Sequence, residues 1–172
     1  MIYKELFDKN SFEVKFRIED NGHNPCNSSI FLSDEIKIDT GADLTVFPAR
    51  DLFPEDITVS KFTDWLQNND KVIGIKSGHY NKRCLFGFSN KGVNKNADAI
   101  MSYAYQVEKF TLVLEDGELE LGSVPITISF NEGFQRPLLG KDLLSLINFK
   151  IDNDMHFLEF EETEKLISIK QE

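Results

Sequence analysis

The sequence predicts a mainly β, single-domain closed barrel with one or two short helices. Three observations support this fold class. Apolar and charged residues alternate over 12–18, turn-forming residues separate several strand-like stretches, and no repeat, low-complexity tract or linker divides the chain. The 172 residues are 41% hydrophobic and include fifteen Phe, which suits one core. We therefore expect one domain over residues 1–172, with its core at about 10–160.

The first predicted elements are strands joined by turns. Phe12, Val14, Phe16 and Ile18 alternate with charged residues, which places an apolar row on one face of a sheet. Turn-forming residues at 21–29 lead into further strand-like sequence, which runs to 38. A tight turn follows, and then a short apolar strand at 44–47. Beyond these strands, Ser60 is positioned to cap a short helix through 61–67.

The second half of the chain predicts hairpins and one more helix. A Gly-rich hairpin is expected over 71–88, followed by an exposed polar insertion at 89–98. A hairpin on an Asp116-Gly117 turn joins 110–114 to 119–121, and 125–130 forms another strand. After Gly140, Leu143, Leu144, Leu146 and Ile147 give a helix an apolar stripe. Strands at 149–152 and 155–160 complete the pattern.

The stretch Asp39-Thr40-Gly41 carries a candidate chemical group. It places a short carboxylate, a hydroxyl and a glycine between two apolar strands, where the backbone must turn tightly. A tripeptide alone is a weak signal, so a second motif is needed. About a hundred residues downstream, the sequence Pro137-Leu138-Leu139-Gly140-Lys141-Asp142-Leu143-Leu144 provides it.

These two motifs together resemble the retropepsin-like aspartic peptidases. In that family a hydrophobic-hydrophobic-Gly segment lies beside the catalytic strand, and the next helix opens with Arg or Lys and then Asp or Asn. The structural-support positions that match are Leu138, Leu139, Gly140, Lys141 and Asp142. The resemblance implies a closed acid-protease barrel with a flap hairpin, and it covers roughly residues 10–160.

The resemblance also implies roles around the first motif. Asp39 would activate a water molecule, Thr40 would hydrogen-bond across a dimer axis, and the Gly41 amide would donate to the carboxylate. Ala42 and Asp43 would border the substrate cleft, with Asp43 near the substrate backbone. All five residues stand consecutively in the sequence.

The Gly-rich hairpin takes the place that the flap has in this family. Ile73, Gly74 and Ile75 are expected to contact substrate, and the alternative is an ordinary Gly-rich hairpin. Val46 is a further candidate wall, with plain core packing as the alternative. The sequence departs from retroviral enzymes at Lys141, where they have an Arg that pairs with the residue equivalent to Asp43. A lysine cannot form the bidentate fork of a guanidinium.

Aspartic peptidase chemistry needs two carboxylates that share one proton. The chain has one Asp-Thr-Gly and no second Asp-Thr-Gly or Asp-Ser-Gly. If the protein is catalytic, Asp39 must therefore meet Asp39 of a second copy, so we expect a homodimer that acts on a peptide or protein substrate. The alternatives are a catalytically inactive retropepsin-fold module that binds peptides or assembles with partners, and a monomeric scaffold.

Composition argues against several other classes of protein. The 29 acidic and 19 basic residues give a net charge of -10, which opposes nucleic-acid and anionic-membrane binding. No apolar run approaches the roughly 20 residues of a membrane span, and a cytoplasmic location is expected. Two Cys and three His without ligand spacing predict neither a disulfide framework nor a metal site. No cofactor is expected.

Overall fold

The computed structural model describes residues 2–6, 12–22, 24–68, 102–130, 132–152 and 157–171. The predicted hairpin at 71–88, with Ile73, Gly74 and Ile75, and the insertion at 89–98 lie outside these residues. The described strands are β1 (Ile2–Leu6), β2 (Glu13–Asn21), β3 (Ser29–Ile38), β4 (Val46–Pro48), β5 (Ser102–Leu114), β6 (Gly117–Ser129), β7 (Leu138–Leu139), β8 (Ile147–Asp152) and β9 (Phe157–Glu162). The described helices are α1 (Ala49–Leu52), α2 (Val59–Asn68), α3 (Lys141–Leu144) and α4 (Glu164–Gln171).

Six strands close into a barrel in the order β2-β3-β7-β4-β6-β5. Most neighbours are antiparallel, and the exceptions are the short parallel pairs β3 with β7 and β4 with β6. These parallel pairs bring distant parts of the chain side by side. The predicted mainly β class and the closed barrel are confirmed.

The core of the barrel is filled by the residues that alternate along the strands. In β2 the apolar residues Val14, Phe16 and Ile18 are buried, as the sequence pattern predicts. The Phe16 ring packs 5.3 Å from that of Phe47 in β4 and 5.8 Å from that of Phe110 in β5, measured between centroids. One row of aromatic side chains thus joins three strands.

A second sheet has the order β1-β9-β8, and all its pairs are antiparallel. The sequence patterns predict no strand before residue 12, so β1 corrects that expectation. Short strands find most of their stabilisation in tertiary pairing, and β1 pairs with β9, about 150 residues away. Local sequence alone does not reveal such a partner.

The remaining differences concern element boundaries. Four helices are described where one or two were expected. Thr58, and not Ser60, caps α2, because its hydroxyl accepts a hydrogen bond from the Lys61 amide at 3.2 Å. The strand predicted at 125–130 continues the one before it, since β6 runs without a break through Gly122, whose φ is +76° and where the pairing with β5 shifts register.

The helix predicted after Gly140 is also shorter than its apolar stripe. Helix α3 ends at Leu144, and Ile147 begins strand β8. None of the described helices is long and apolar enough to cross a membrane.

Candidate functional site

Asp39 lies on the turn that joins β3 to β4. In β3, Ile36 and Ile38 point into the core and Lys37 is exposed on the opposite face. The strand ends at Ile38, and Asp39 follows it with a partly exposed side chain. The Gly41 amide donates to Asp39 Oδ1 at 2.9 Å, and the Ala42 amide donates to the Asp39 carbonyl at 3.2 Å. The turn's own backbone therefore orients a partly exposed carboxylate.

The structure brings the second motif directly beside this turn. β7 pairs in parallel with the end of β3, with Lys37 opposite Leu138 and Ile38 opposite Leu139. The Asp39 amide donates to the Leu139 carbonyl at 3.0 Å. Residues separated by a hundred positions in sequence thus share one backbone hydrogen-bond pattern at the candidate site.

Helix α3 is attached to the same turn through its first residues. The Lys141 amide donates to the Ala42 carbonyl at 2.9 Å, and the Asp142 amide donates to the Asp43 carbonyl at 3.3 Å. The Lys141 ammonium lies 3.8 Å from the Asp43 carboxylate, and both side chains are largely exposed. An exposed pair of this kind contributes little stability, so the backbone bonds are the stronger attachment.

Gly140 allows this close approach. A Cβ built on Gly140 would lie 2.5 Å from the Leu44 carbonyl carbon and 2.9 Å from the Ala42 carbonyl oxygen. Its φ of -98° and ψ of -178° are open to any residue, so the requirement for glycine is steric. Both obstacles are backbone atoms, which a side-chain rotation cannot remove.

Thr45, which neither motif predicts as a site residue, connects the two motifs. Its buried hydroxyl donates to Asp142 Oδ1 at 2.7 Å and accepts from the Gly140 amide at 3.0 Å. Its amide donates to the same Asp142 oxygen at 2.9 Å. The available signal was a lone hydroxyl between Leu44 and Val46 in an apolar stretch, because a buried polar group needs partners.

The Asp142 carboxyl is largely enclosed by this arrangement. Burial raises its pKa, and the hydrogen bonds from Thr45 and from the Leu143 amide oppose that shift. The pKa of Asp142 therefore depends on how closely Thr45 and the second motif enclose its carboxyl.

The other predicted residues divide into three groups. Thr40 is exposed on the turn, and Ala42 is partly buried behind it. Val46 is 1% exposed, so it belongs to the core and is not a wall of a cleft. Ile73, Gly74 and Ile75 lie outside the described residues.

Within the described ranges, no group of three or more His, Cys, Asp or Glu side chains is placed to hold a metal ion.

The barrel and its two adjoining motifs form a retropepsin-like fold. No family model and no curated protein matches the chain. Among solved structures, it is similar to a retropepsin-like aspartic protease from Rickettsia conorii, with 15% identity and a TM-score of 0.42 over 94% of this chain and 90% of that one. It is also similar to the EIAV protease complexed with the inhibitor HBY-793, with 11% identity and a TM-score of 0.33 over 80% of this chain and 88% of that one.

Proposed function

We propose that the protein is an aspartic endopeptidase that hydrolyses peptide bonds as a homodimer. The observation that carries the proposal is the turn at Asp39. It presents a carboxylate that the Gly41 amide orients at 2.9 Å, and the Leu139 carbonyl accepts a hydrogen bond from the Asp39 amide at 3.0 Å. A partly exposed carboxylate held by backbone groups is available to a second molecule and to a substrate.

The proposed reaction requires a second Asp39. Two carboxylates about 3 Å apart cannot both ionise easily, so the pair keeps one proton. The ionised Asp39 takes a proton from the attacking water, and the protonated Asp39 of the second copy donates to the scissile carbonyl oxygen. No covalent intermediate forms on the protein, because water is the nucleophile.

The residues around the turn have supporting roles in this proposal. Thr40, exposed beside Asp39, would hydrogen-bond across the two-fold axis of the dimer. Ala42 and Asp43 would border an extended substrate, whose main chain pairs with the site as an added strand. Leu138 to Asp142 would fix the position of the turn from behind, and Ile73 to Ile75 would belong to the flap over the substrate. The peptidase domain is proposed to span residues 1–172.

The test compares the wild type with Asp39→Asn on a denatured protein mixture from pH 4 to 7. Light scattering reports the mass of each protein in the same samples. We expect cleavage by a wild-type dimer, greatest on the acidic side of neutrality because the carboxylate pair must share a proton. The Asp39→Asn variant should dimerise equally and cleave nothing.

Asp56→Asn is the matched control, because it removes one carboxylate from an exposed loop position. It should cleave as the wild type does. A wild-type protein that binds peptides without cleaving them at any pH would overturn the proposal in favour of the inactive binding module. When the assay is extended above pH 7, a rate that keeps rising through alkaline pH would contradict the shared-proton mechanism.

A further inference from the structure

Strand β3 has one side that the other described strands leave largely uncovered. On one side it pairs with β2 from Ser29 to Lys37, whereas on the other side β7 covers only Lys37 and Ile38. We call residues 29–33 the open edge of the barrel. The edge of a sheet presents unpaired backbone groups, to which another extended chain can bond.

The directions of the backbone groups in β3 follow from two hydrogen bonds at its end. The Ile38 amide donates to the Phe12 carbonyl, on the β2 side, at 2.7 Å. The Asp39 amide donates to the Leu139 carbonyl, on the β7 side, at 3.0 Å. Because these directions alternate along a strand, the amides and carbonyls of the odd-numbered residues of β3 point away from β2.

The odd-numbered residues of the open edge are Ser29, Phe31 and Ser33. Among the described residues, none bonds to the backbone groups that these three present away from β2. The next odd-numbered amide, that of Glu35, is already bonded to the Asp34 carboxylate at 2.8 Å. An antiparallel strand placed against residues 29–33 would therefore form about six backbone hydrogen bonds.

The side chains on the core face of β3 show that solvent reaches this edge. Leu32 and Asp34 stand opposite Ile18 and Phe16, which are fully buried in β2. Leu32 is nevertheless only partly buried, and Asp34 is exposed. A carboxylate on the core face of a sheet remains hydrated only where the neighbouring strand is missing, so the edge is accessible to a partner.

The side chains along the edge indicate which partner fits it. Phe31 is 67% exposed, more than any other large hydrophobic side chain in the described part of the chain. Asp34 and Glu35 are exposed, and neither forms an ion pair with a basic side chain of the described residues. A strand with an apolar residue opposite Phe31 and basic residues opposite the two carboxylates would match this pattern. A second copy fits less well, because residues 29–33 contain no Lys or Arg.

We propose that the open edge binds an extended, basic segment of another protein, which joins β3 as an added antiparallel strand. Main-chain hydrogen bonds supply the affinity, and the exposed ring and the two carboxylates select the segment. The surface is separate from the proposed active site, since Ser33 lies about 17 Å along the strand from Ile38, where β3 ends.

The test measures binding of a labelled synthetic peptide, Lys-Lys-Thr-Val-Tyr-Val-Thr, by fluorescence anisotropy. The protein is the whole chain carrying Asp39→Asn, so binding is read without cleavage and independently of the peptidase proposal. We expect this peptide to bind about tenfold more tightly than Glu-Glu-Thr-Val-Tyr-Val-Thr, because two exposed ion pairs are replaced by two repulsive contacts. Asp34→Asn/Glu35→Gln should remove the preference, and equal affinities of the starting protein for both peptides would overturn the selection of basic segments.

Methylation of the peptide's own amides tests the strand geometry. In the antiparallel arrangement the first Thr and the Tyr direct their amides to β3, whereas the two Val direct theirs away. N-methylation of the first pair should abolish binding, and N-methylation of the two Val should change the affinity by less than about twofold. Equal losses from both sets would overturn strand addition.

Substitutions at Ser33 locate the binding surface. Ser33→Pro removes one amide of the open edge, and proline is tolerated on an edge strand where the amide points outward. We expect Ser33→Pro to weaken peptide binding about tenfold and Ser33→Ala, which keeps the amide, to bind as the parent protein does. Circular dichroism checks that both variants fold, and if Ser33→Pro does not, the methylated peptides decide the question. Unchanged affinity in folded Ser33→Pro would overturn the proposal, and a halved mass by light scattering in that variant would instead assign the edge to a second copy.

Discussion

Asp142 Oδ1 accepts three hydrogen bonds, from the Thr45 hydroxyl, the Thr45 amide and the Leu143 amide. Three donors to one oxygen hold the Asp142 and Thr45 side chains in one arrangement, because rotating either side chain would break at least one of these bonds. At the scale of single residues, the candidate site thus depends on a carboxyl group that is remote from the proposed chemistry. Asp142 is a positioning residue in this proposal, since its carboxyl acts on the Asp39 turn through Thr45, whose hydroxyl also accepts from the Gly140 amide.

The raised pKa of Asp142 makes a stability prediction with a definite sign. A folded-state pKa above the ordinary value of 3.8 means that the carboxyl ionises less readily in the folded protein than in the unfolded chain. The contribution of the Asp142 carboxyl to the free energy of unfolding is fully present below the ordinary pKa, and it is lost as pH rises through the folded-state pKa. Asp142→Asn keeps the Oδ1 acceptor and cannot ionise. The free energy of unfolding of this variant, relative to wild type, should therefore improve as pH rises from 3 to 7.

Urea denaturation at intervals of pH provides the measurement. Asp56→Asn, measured in parallel, controls for the loss of one carboxylate from an acidic protein. A relative stability of Asp142→Asn that stays level, or that falls as pH rises, would contradict the assignment of burial as the main influence on Asp142.

At the scale of elements, strand β2 and helix α4 differ in how much the local sequence predicts. Strands such as β2 were predictable because each alternates apolar and charged residues along its length. α4 has only Leu166 fully buried among its described side chains, so its sequence carries little helical periodicity. Its start depends on Thr163, whose hydroxyl accepts from the Leu166 amide at 3.2 Å and donates to the Leu146 carbonyl at 2.7 Å. The second of these bonds exists only in the folded protein.

The residues of the candidate site show the same difference between what local sequence determines and what long-range contacts determine. Asp39, Gly41 and Gly140 were predictable, because a tight turn and a close backbone approach impose residue types that a motif records. Thr45 was not identified, since its importance comes from contacts with residues almost a hundred positions away. Val46 was left between two interpretations for a related reason, because an apolar residue beside a motif suits both a cleft wall and a core, and its burial decides for the core.

Substitutions on α4 test how this helix is held. Leu166→Ala should lower the free energy of unfolding by about 3 kcal/mol, because it leaves a cavity in the core. Ile167→Ala, at a neighbouring position that is 42% exposed, should change it by less than about 0.5 kcal/mol. Chemical denaturation of both variants compares the two. Equal losses would mean that α4 does not pack through Leu166.

At the scale of the whole molecule, the proposed active site belongs to two copies. Inactive Asp39→Asn chains should therefore suppress the wild type by forming mixed dimers. With a tenfold excess of the variant, and time for subunit exchange, the activity per wild-type chain should fall about tenfold. Peptide cleavage at constant wild-type concentration provides the measurement. The same excess of Asp56→Asn should raise total activity, and unchanged activity with Asp39→Asn would contradict a shared site.

The pairing of β1 with β9 has a consequence for the order of biosynthesis. The partner of Ile2–Leu6, Phe157–Glu162, is synthesised about 150 residues later, which is roughly 10–30 s of translation. During this interval β1 lacks its partner in the β1-β9-β8 sheet, and that sheet cannot be completed until translation has passed β9. Until β9 has been synthesised, the unpaired Ile2–Leu6 segment is therefore exposed to chaperones.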